Sequence, residues 1–242
     1  MKTSPVSRLF AKSLSVASLL FLQTVVTEGA NVLVDFGSDA TTTESPTNGL
    51  SWNNITSAVD GAVIDAVDAN TGAGTGIGVA ITSRFNGINT NGTLVSTVYP
   101  VEATRDSFYG NTATFNGIEV PNAQVTITGL QPGGLYAISL YASRTATDNR
   151  ETQYVLTGDS SSTVFLDVAS NDDNFAFVPS MGGDASNSIV IDVTPGPNNT
   201  NGSGFFYLGA LQINSVDSIP EPSASLLVVV GVGMMTMIRR RC

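Results

Sequence analysis

The sequence predicts an all-β protein: a single jelly-roll-like antiparallel β-sandwich over residues 31–217, flanked by one helical segment at each end. Three observations lead there. Between residues 31 and 219 helix-period patterns are scarce, while short apolar or alternating runs recur, divided by Gly, Asn, Asp, Ser and Pro. The alternation is cleanest in Gln124-Val125-Thr126-Ile127-Thr128 and in Ser188-Ile189-Val190-Ile191-Asp192-Val193, the second apolar on both faces as a central strand requires. Finally, the uncharged apolar runs long enough for a membrane helix or a leader lie only at the two ends of the 242-residue chain.

The first end reads MKTSPVSRLFAKSLSVASLLFLQTVVTEGA, with three basic residues ahead of an apolar stretch from Leu14 to Val26 and then small residues. That is the pattern of a secretory signal helix, residues 1–30. Cleavage after Gly29 leaves Thr27 at the −3 position, a better fit than Glu28, and the mature chain begins near Asn31.

Strands are expected at 31–36, 62–67, 76–82, 93–99, 112–115, 123–128, 135–142, 151–156, 163–168, 174–178, 188–193 and 205–213. A dozen strands in about 190 residues suit one sandwich, and such a length buries enough surface to fold without cross-links. Thr41–Asn48 and Gly196–Gly204 read as surface loops. Tyr136 follows the turn Leu130-Gln131-Pro132-Gly133-Gly134 and opens the alternating Ala137–Tyr141. The run resembles the tyrosine corner of Greek-key sandwiches and the Leu-x-Pro-x-x-x-Tyr of fibronectin type III domains; the resemblance implies that its hydroxyl bonds back to the loop. The body's length and strand number resemble a galactose-binding type of jelly roll more closely.

Composition excludes much chemistry. The body holds four arginines (Arg84, Arg105, Arg144, Arg150), no lysine and 18 acidic residues, a net charge of −14. Such a surface repels nucleic acid, whose binding needs phosphates neutralised by Lys and Arg. The chain contains no histidine, which removes the Ser-His-Asp triad and His-ligated metals, and its one cysteine is the terminal Cys242. Asp35-Phe36-Gly37-Ser38-Asp39 superficially resembles a lipase-type block but has the wrong order and no histidine to serve it. No catalytic residue and no metal ligand set is assigned, and the protein is expected not to be an enzyme. The alternative, a carboxylate-based glycan hydrolase or lyase, has only the abundance of acids behind it. Asn54, Asn91, Asn198 and Asn201 head N-x-Ser/Thr triplets, a chance match in an Asn/Thr-rich chain.

The last element is the run from Pro222 to Ile238, 17 residues without charge, followed by Arg239, Arg240 and Arg241. As a transmembrane helix it spans about 25 Å, with the arginines held on the cytoplasmic side. Preceded by Pro220, Glu221 and Pro222, residues 218–242 resemble the PEP-CTERM sorting signal: motif, apolar helix and arginine cluster stand in order. That resemblance implies a Gram-negative source and processing by an exosortase, which recognises Pro220, Glu221 and Pro222. It implies transient residence in the inner membrane and delivery to the cell envelope, the surface or the surrounding matrix.

Two loop clusters invite a ligand-binding reading. Arg105 and Tyr109 lie in Arg105–Gly110, and Arg144, Asp148 and Arg150 in Arg144–Glu151; Asn198–Tyr207 is a third polar-aromatic segment. Guanidinium forks, carboxamide or carboxylate acceptors and a ring on which a sugar can stack are what a carbohydrate site needs, and Trp52 and Tyr109 are the stacking candidates. The plainer reading has the arginines bridging nearby carboxylates and Trp52 in the core. Structural calcium is the one cofactor considered, at Asn171–Asn174 or at Asp65 and Asp68, although EF-hand spacing is absent and Asx-rich turns explain the same residues. The expectation is therefore an exported, non-catalytic surface or matrix protein whose sandwich binds extracellular polysaccharide, with a purely structural matrix role as the alternative.

Overall fold

The computed structural model describes residues 29–216. Its strands are β1 (Asn31–Phe36), β2 (Asn53–Ile55), β3 (Ala62–Val63), β4 (Gly78–Ser83), β5 (Gly87–Asn89), β6 (Ser107–Phe115), β7 (Ile118–Val120), β8 (Ala123–Thr128), β9 (Leu135–Tyr141), β10 (Glu151–Thr157), β11 (Ser161–Asp167), β12 (Ala176–Gly182), β13 (Ile189–Pro195), β14 (Phe206–Leu208) and β15 (Ala210–Val216), with one short helix, α1 (Val101–Arg105). The two terminal helical segments, and with them the Pro220–Pro222 and Arg239–Arg241 motifs, lie outside the described residues. Within those residues no helix is long and apolar enough to cross a membrane.

Two sheets pack face to face. One has the order β12-β9-β15-β1-β2 and the other β11-β10-β13-β8-β4-β3. Every pairing is antiparallel except β1 with β2. If β1, β8, β9, β10, β11, β12, β13 and β15 are numbered by themselves, leaving out β4 and the nine-residue β6, the first sheet takes first–eighth–third–sixth and the second second–seventh–fourth–fifth. The connection from β1 to β8 is a long one. It adds β2 to one sheet and β3 and β4 to the other, and with β14 it builds a small third sheet, β14-β6-β5, with β7 paired to β6.

The alternation places the core. Val32, Val34 and Phe36 of β1, Ile138 and Leu140 of β9, and Leu211 and Ile213 of β15 meet Val125, Ile127, Tyr154, Leu156, Ile189, Ile191 and Val193 from the second sheet, all at 0% exposure. The outer face of the first sheet is also covered. Leu33, Tyr141 and Ala210 pack beneath Trp52, Ala69 and Ala103, with Leu50 and Tyr99 alongside.

Register decides which loops meet. Asp35 pairs with Ala210, Ala210 with Tyr141, Glu151 with Asp167, Thr152 with Pro195 and Val193 with Ala123. The chain therefore leaves β1, β4, β9, β11 and β13 at one end of the sandwich, where 142–150, 168–175, 196–209 and much of 84–122 gather, while 44–52 turns back along the outer face of the first sheet towards Ala69 and Asn31. Asn31, opposite Asn214, places both boundaries of the described chain at the other end.

The strands expected at 31–36 and 123–128 match β1 and β8 residue for residue, and eight others overlap observed strands. The exception is 93–99, a loop. Its polar residues bond to side chains of the β11–β12 connection: Thr93 to Asp172, and Ser96 and Thr97 to Asp173 at 2.7–3.0 Å. Leu94 and Val95 are left 65% and 69% exposed, so the alternation has no buried face. The run at 205–213 breaks at Gly209, whose N–H bonds to Tyr141 O at 2.8 Å as the chain passes from the small sheet to the first sheet. β2, β5 and β7, at three residues each, are too short to show a period of two.

The tyrosine corner is present: the Gln131 N–H donates to the Tyr136 hydroxyl at 2.8 Å, and Tyr136 is 3% exposed. Tyr136→Phe keeps the ring and removes this bond. It is expected to lower the unfolding free energy by about 1 kcal/mol, read from the urea midpoint at unchanged slope; no change in midpoint would mean that the corner's hydroxyl is idle.

Candidate functional site

The gathered loops bring together four of the five candidate residues. Arg144 follows β9 directly. Its N–H bonds to Val168 O at 2.9 Å and its carbonyl accepts from Ser170 at 2.7 Å, so the β11–β12 connection holds its backbone. Its guanidinium donates to Asn89 Oδ1 at 2.7 Å. Arg150, at the start of β10, donates Nε–H to Asp148 Oδ1 at 3.1 Å and a terminal N–H to the Tyr207 hydroxyl at 2.5 Å. Its guanidinium carbon stands 5.4 Å from the centre of the Phe205 ring. Asp148 Oδ2 accepts from the Asn201 amide at 2.6 Å. That bond first, then Arg150, holds the Asp148 carboxyl below its ordinary range.

Tyr109 joins from β6, paired with Tyr207 of β14. Its ring lies 5.6 Å from Phe205 and 6.0 Å from Phe115, both edge-on, and Phe115 and Phe205 lie 5.0 Å apart. Tyr207 completes the group at 6.5 Å from Tyr109 and 6.4 Å from Phe205. Burial raises the Tyr207 phenol, and the charges of Arg150 and Arg144 oppose that rise, so both arginines bear on one hydroxyl. The ring of Phe115 is 39% exposed. The result is an aromatic cluster, partly open to solvent, edged by two guanidinium groups, the Asp148 carboxylate and the Asn201 amide. It can offer a sugar an apolar face beside polar groups for its hydroxyls.

Arg105 does not belong to this group. It closes α1, its carbonyl accepts from Gly92 at 2.8 Å, and its charge bears on Asp106. Trp52 is 4% exposed, edge-on to Tyr99 at 5.7 Å, and acts as core. The rings of Phe115, Phe205 and Tyr207 were not singled out in the sequence as stacking candidates. Phe205-Phe206-Tyr207 held the signal: in a strand, positions 205 and 207 share a face while 206 points to the other, and Phe206 is the one at 0% exposure.

The acids considered for calcium bond to the chain itself. Asp68 accepts from Asn31, Asn70 and Thr71, Asp65 from Gly76, and Asn171 Oδ1 from Asn174. Another carboxylate pair stands out: Asp35 and Asp106, each 1% exposed, each with a buried Oδ1 that has no hydrogen-bond partner. A glycan chain has no access to them in this conformation.

No family model and no curated protein matches this chain. A solved structure similar to it is the ANX1 ectodomain from Arabidopsis thaliana, at 11% identity and a TM-score of 0.38, over 69% of this chain and 57% of that one. The match thus spans less than two thirds of the ectodomain's length. At that level the likeness has no bearing on function.

Proposed function

We propose that this is an exported, non-catalytic surface or matrix protein whose jelly-roll sandwich binds carbohydrate through Tyr109, Phe115 and Phe205 together with Arg144, Asp148 and Arg150. The observation behind it is the part-exposed ring cluster with Arg150 fixed beside it by Asp148 and Tyr207. With β2, β3 and β4 set aside, the order of the other eight strands of the two sheets is that of two interlocked Greek keys, which supports the jelly-roll reading. The position of the cluster fits a surface role. It lies at the end of the sandwich opposite residues 31 and 216, so a tail handled by an exosortase at the membrane leaves the site facing outward.

The test is a pull-down with the host's extracellular polysaccharide and a glycan array. Phe115→Ala, on a ring already 39% exposed, should leave stability intact and weaken binding about tenfold, or ~1.4 kcal/mol. Arg150→Ala should act in the same direction. A wild-type protein that binds nothing, or a Phe115→Ala protein that binds as well as wild type, would leave only the structural matrix role. The sorting reading has its own measurement. Mass spectrometry of surface material should find a C-terminus near Pro220–Ser223, and an intact Cys242 there would overturn it.

A further inference from the structure

Leu33, Asp35 and Gly37 follow one another on the outer face of the first sheet, since alternate strand residues share a face. Leu33 belongs to the outer apolar cluster, and Asp35 stands in register between Ala210 of β15 and Asn54 of β2. Gly37 has no side chain because Asp106 occupies that place: a Cβ there would run into the Asp106 carboxylate. The Asp106 carboxylate therefore lies where a side chain two residues beyond Asp35 would begin, about 7 Å along the same face and within reach of an ion shared with Asp35.

Their hydrogen bonding is matched. Asp35 Oδ2 accepts from the N–H and hydroxyl of Thr43 at 3.1 and 2.8 Å. Asp106 Oδ2 accepts from the Ser38 N–H at 2.8 Å and the Thr41 hydroxyl at 2.5 Å. Each residue thus gives one oxygen to the 38–43 loop and leaves Oδ1 buried and free. Among the described residues no arginine comes within ion-pair distance of either. Two ionised carboxylates so buried are costly unless a cation joins them.

We infer that Asp35 and Asp106 bind one calcium ion, which ties the end of β1 to the 38–43 loop and to the chain leaving α1. The available donors are all oxygen; among the described residues no third carboxylate joins the pair, so the hydroxyls and carbonyls of the 38–43 loop and water would have to complete the shell. Oxygen donors select hard cations, and a closed pair suits calcium better than magnesium, which keeps several waters. Burial pushes both carboxyls up, so ion binding must release protons and tighten as pH rises. The inference is independent of the carbohydrate reading, because neither residue touches the aromatic cluster.

The experiment uses the full chain, purified in detergent and stripped with EDTA, with calcium chloride as the probe. At pH 7.5 a hundredfold excess over the dissociation constant should raise Tm by about 5–10 °C. Elemental analysis after dialysis should find one calcium per chain. Asp35→Asn and Asp106→Asn should lose both responses, while Asp68→Asn, whose carboxylate already caps a turn, should keep both. A wild-type chain that retains no calcium and melts at the same temperature with and without it overturns the inference. So does a Tm shift that survives Asp35→Asn and Asp106→Asn. A chain indifferent to calcium but stabilised by acid also overturns it, and assigns the two free oxygens to a shared proton. If the variants do not fold, the wild-type stoichiometry decides alone.

Discussion

Truncating Phe108 to alanine should cost about 3–5 kcal/mol, a large part of the 5–15 kcal/mol typical of a domain. Phe108 is 0% exposed, and its ring stands 5.8 Å from Phe36 and 5.7 Å from Phe85, which in turn lies 6.4 Å from Phe206. These four rings belong to β1, to the segment before β5, to β6 and to β14, so they join the sandwich to the small third sheet. Removing the central ring leaves a void that three fixed neighbours cannot fill, and it also removes edge contacts beyond simple burial. The same strand carries Tyr109 and Phe115, so the proposed carbohydrate site should loosen with it. Chemical denaturation measures the first effect and polysaccharide binding the second. Phe115→Ala is the contrast, since it should weaken binding at unchanged stability. A loss below 1 kcal/mol for Phe108→Ala would mean that the third sheet is not packed as one body with the sandwich.

The long strands were legible because each has one face in the core. Gln124–Thr128 alternates in sequence, and Val125 and Ile127 are the buried members. Leu94 and Val95 misled because period two reports a pattern and not a partner; the hydroxyls on either side of them, of Thr93, Ser96 and Thr97, are held by Asp172 and Asp173, 76 or more residues away. The arginine clusters of the site were visible as rare cations in an acidic chain, but which of them meet depends on the pairing of β6 with β14. That register brings Tyr109 to Tyr207, while Arg105 stays at the end of α1 with its charge on Asp106. The buried acid pair was hidden differently. Asp35 interrupts the apolar run Val32-Leu33-Val34-Asp35-Phe36, a local conflict of the kind that marks function or strain. Its partner is supplied by the chain just after a five-residue helix with no side-chain cap, held by the buried Ala103 and Thr104. No period in the sequence announces such a helix.

In a chelating buffer the stability of the protein should fall as pH rises from 5 to 8, by about 2–3 kcal/mol. Burial, opposed by the Thr43 hydrogen bonds and reinforced by the charges of Asp106 and Glu102, pushes the Asp35 carboxyl from its ordinary value to about 7. In the unfolded chain it ionises near the usual carboxylate value, so between about pH 4 and 7 the folded state holds a proton that the unfolded state has released. The contribution is complete below pH 4 and is lost as pH climbs through 7. Asp106, raised chiefly by burial with Thr41, Ser38 and Arg105 opposing, works in the same direction. Asp68, Asp148 and Asp173, held below the ordinary range, act only at lower pH. The absence of histidine keeps the window clear of imidazole titration. Asp35→Asn cannot ionise, so in chelator it should flatten the profile and be more stable than wild type at pH 8. Calcium should reverse that order, because only the wild-type pair gains the ion. Urea titrations at four pH values with each protein measure this, and a wild-type profile that is level from pH 5 to 8, or one that Asp35→Asn leaves unchanged, refutes it.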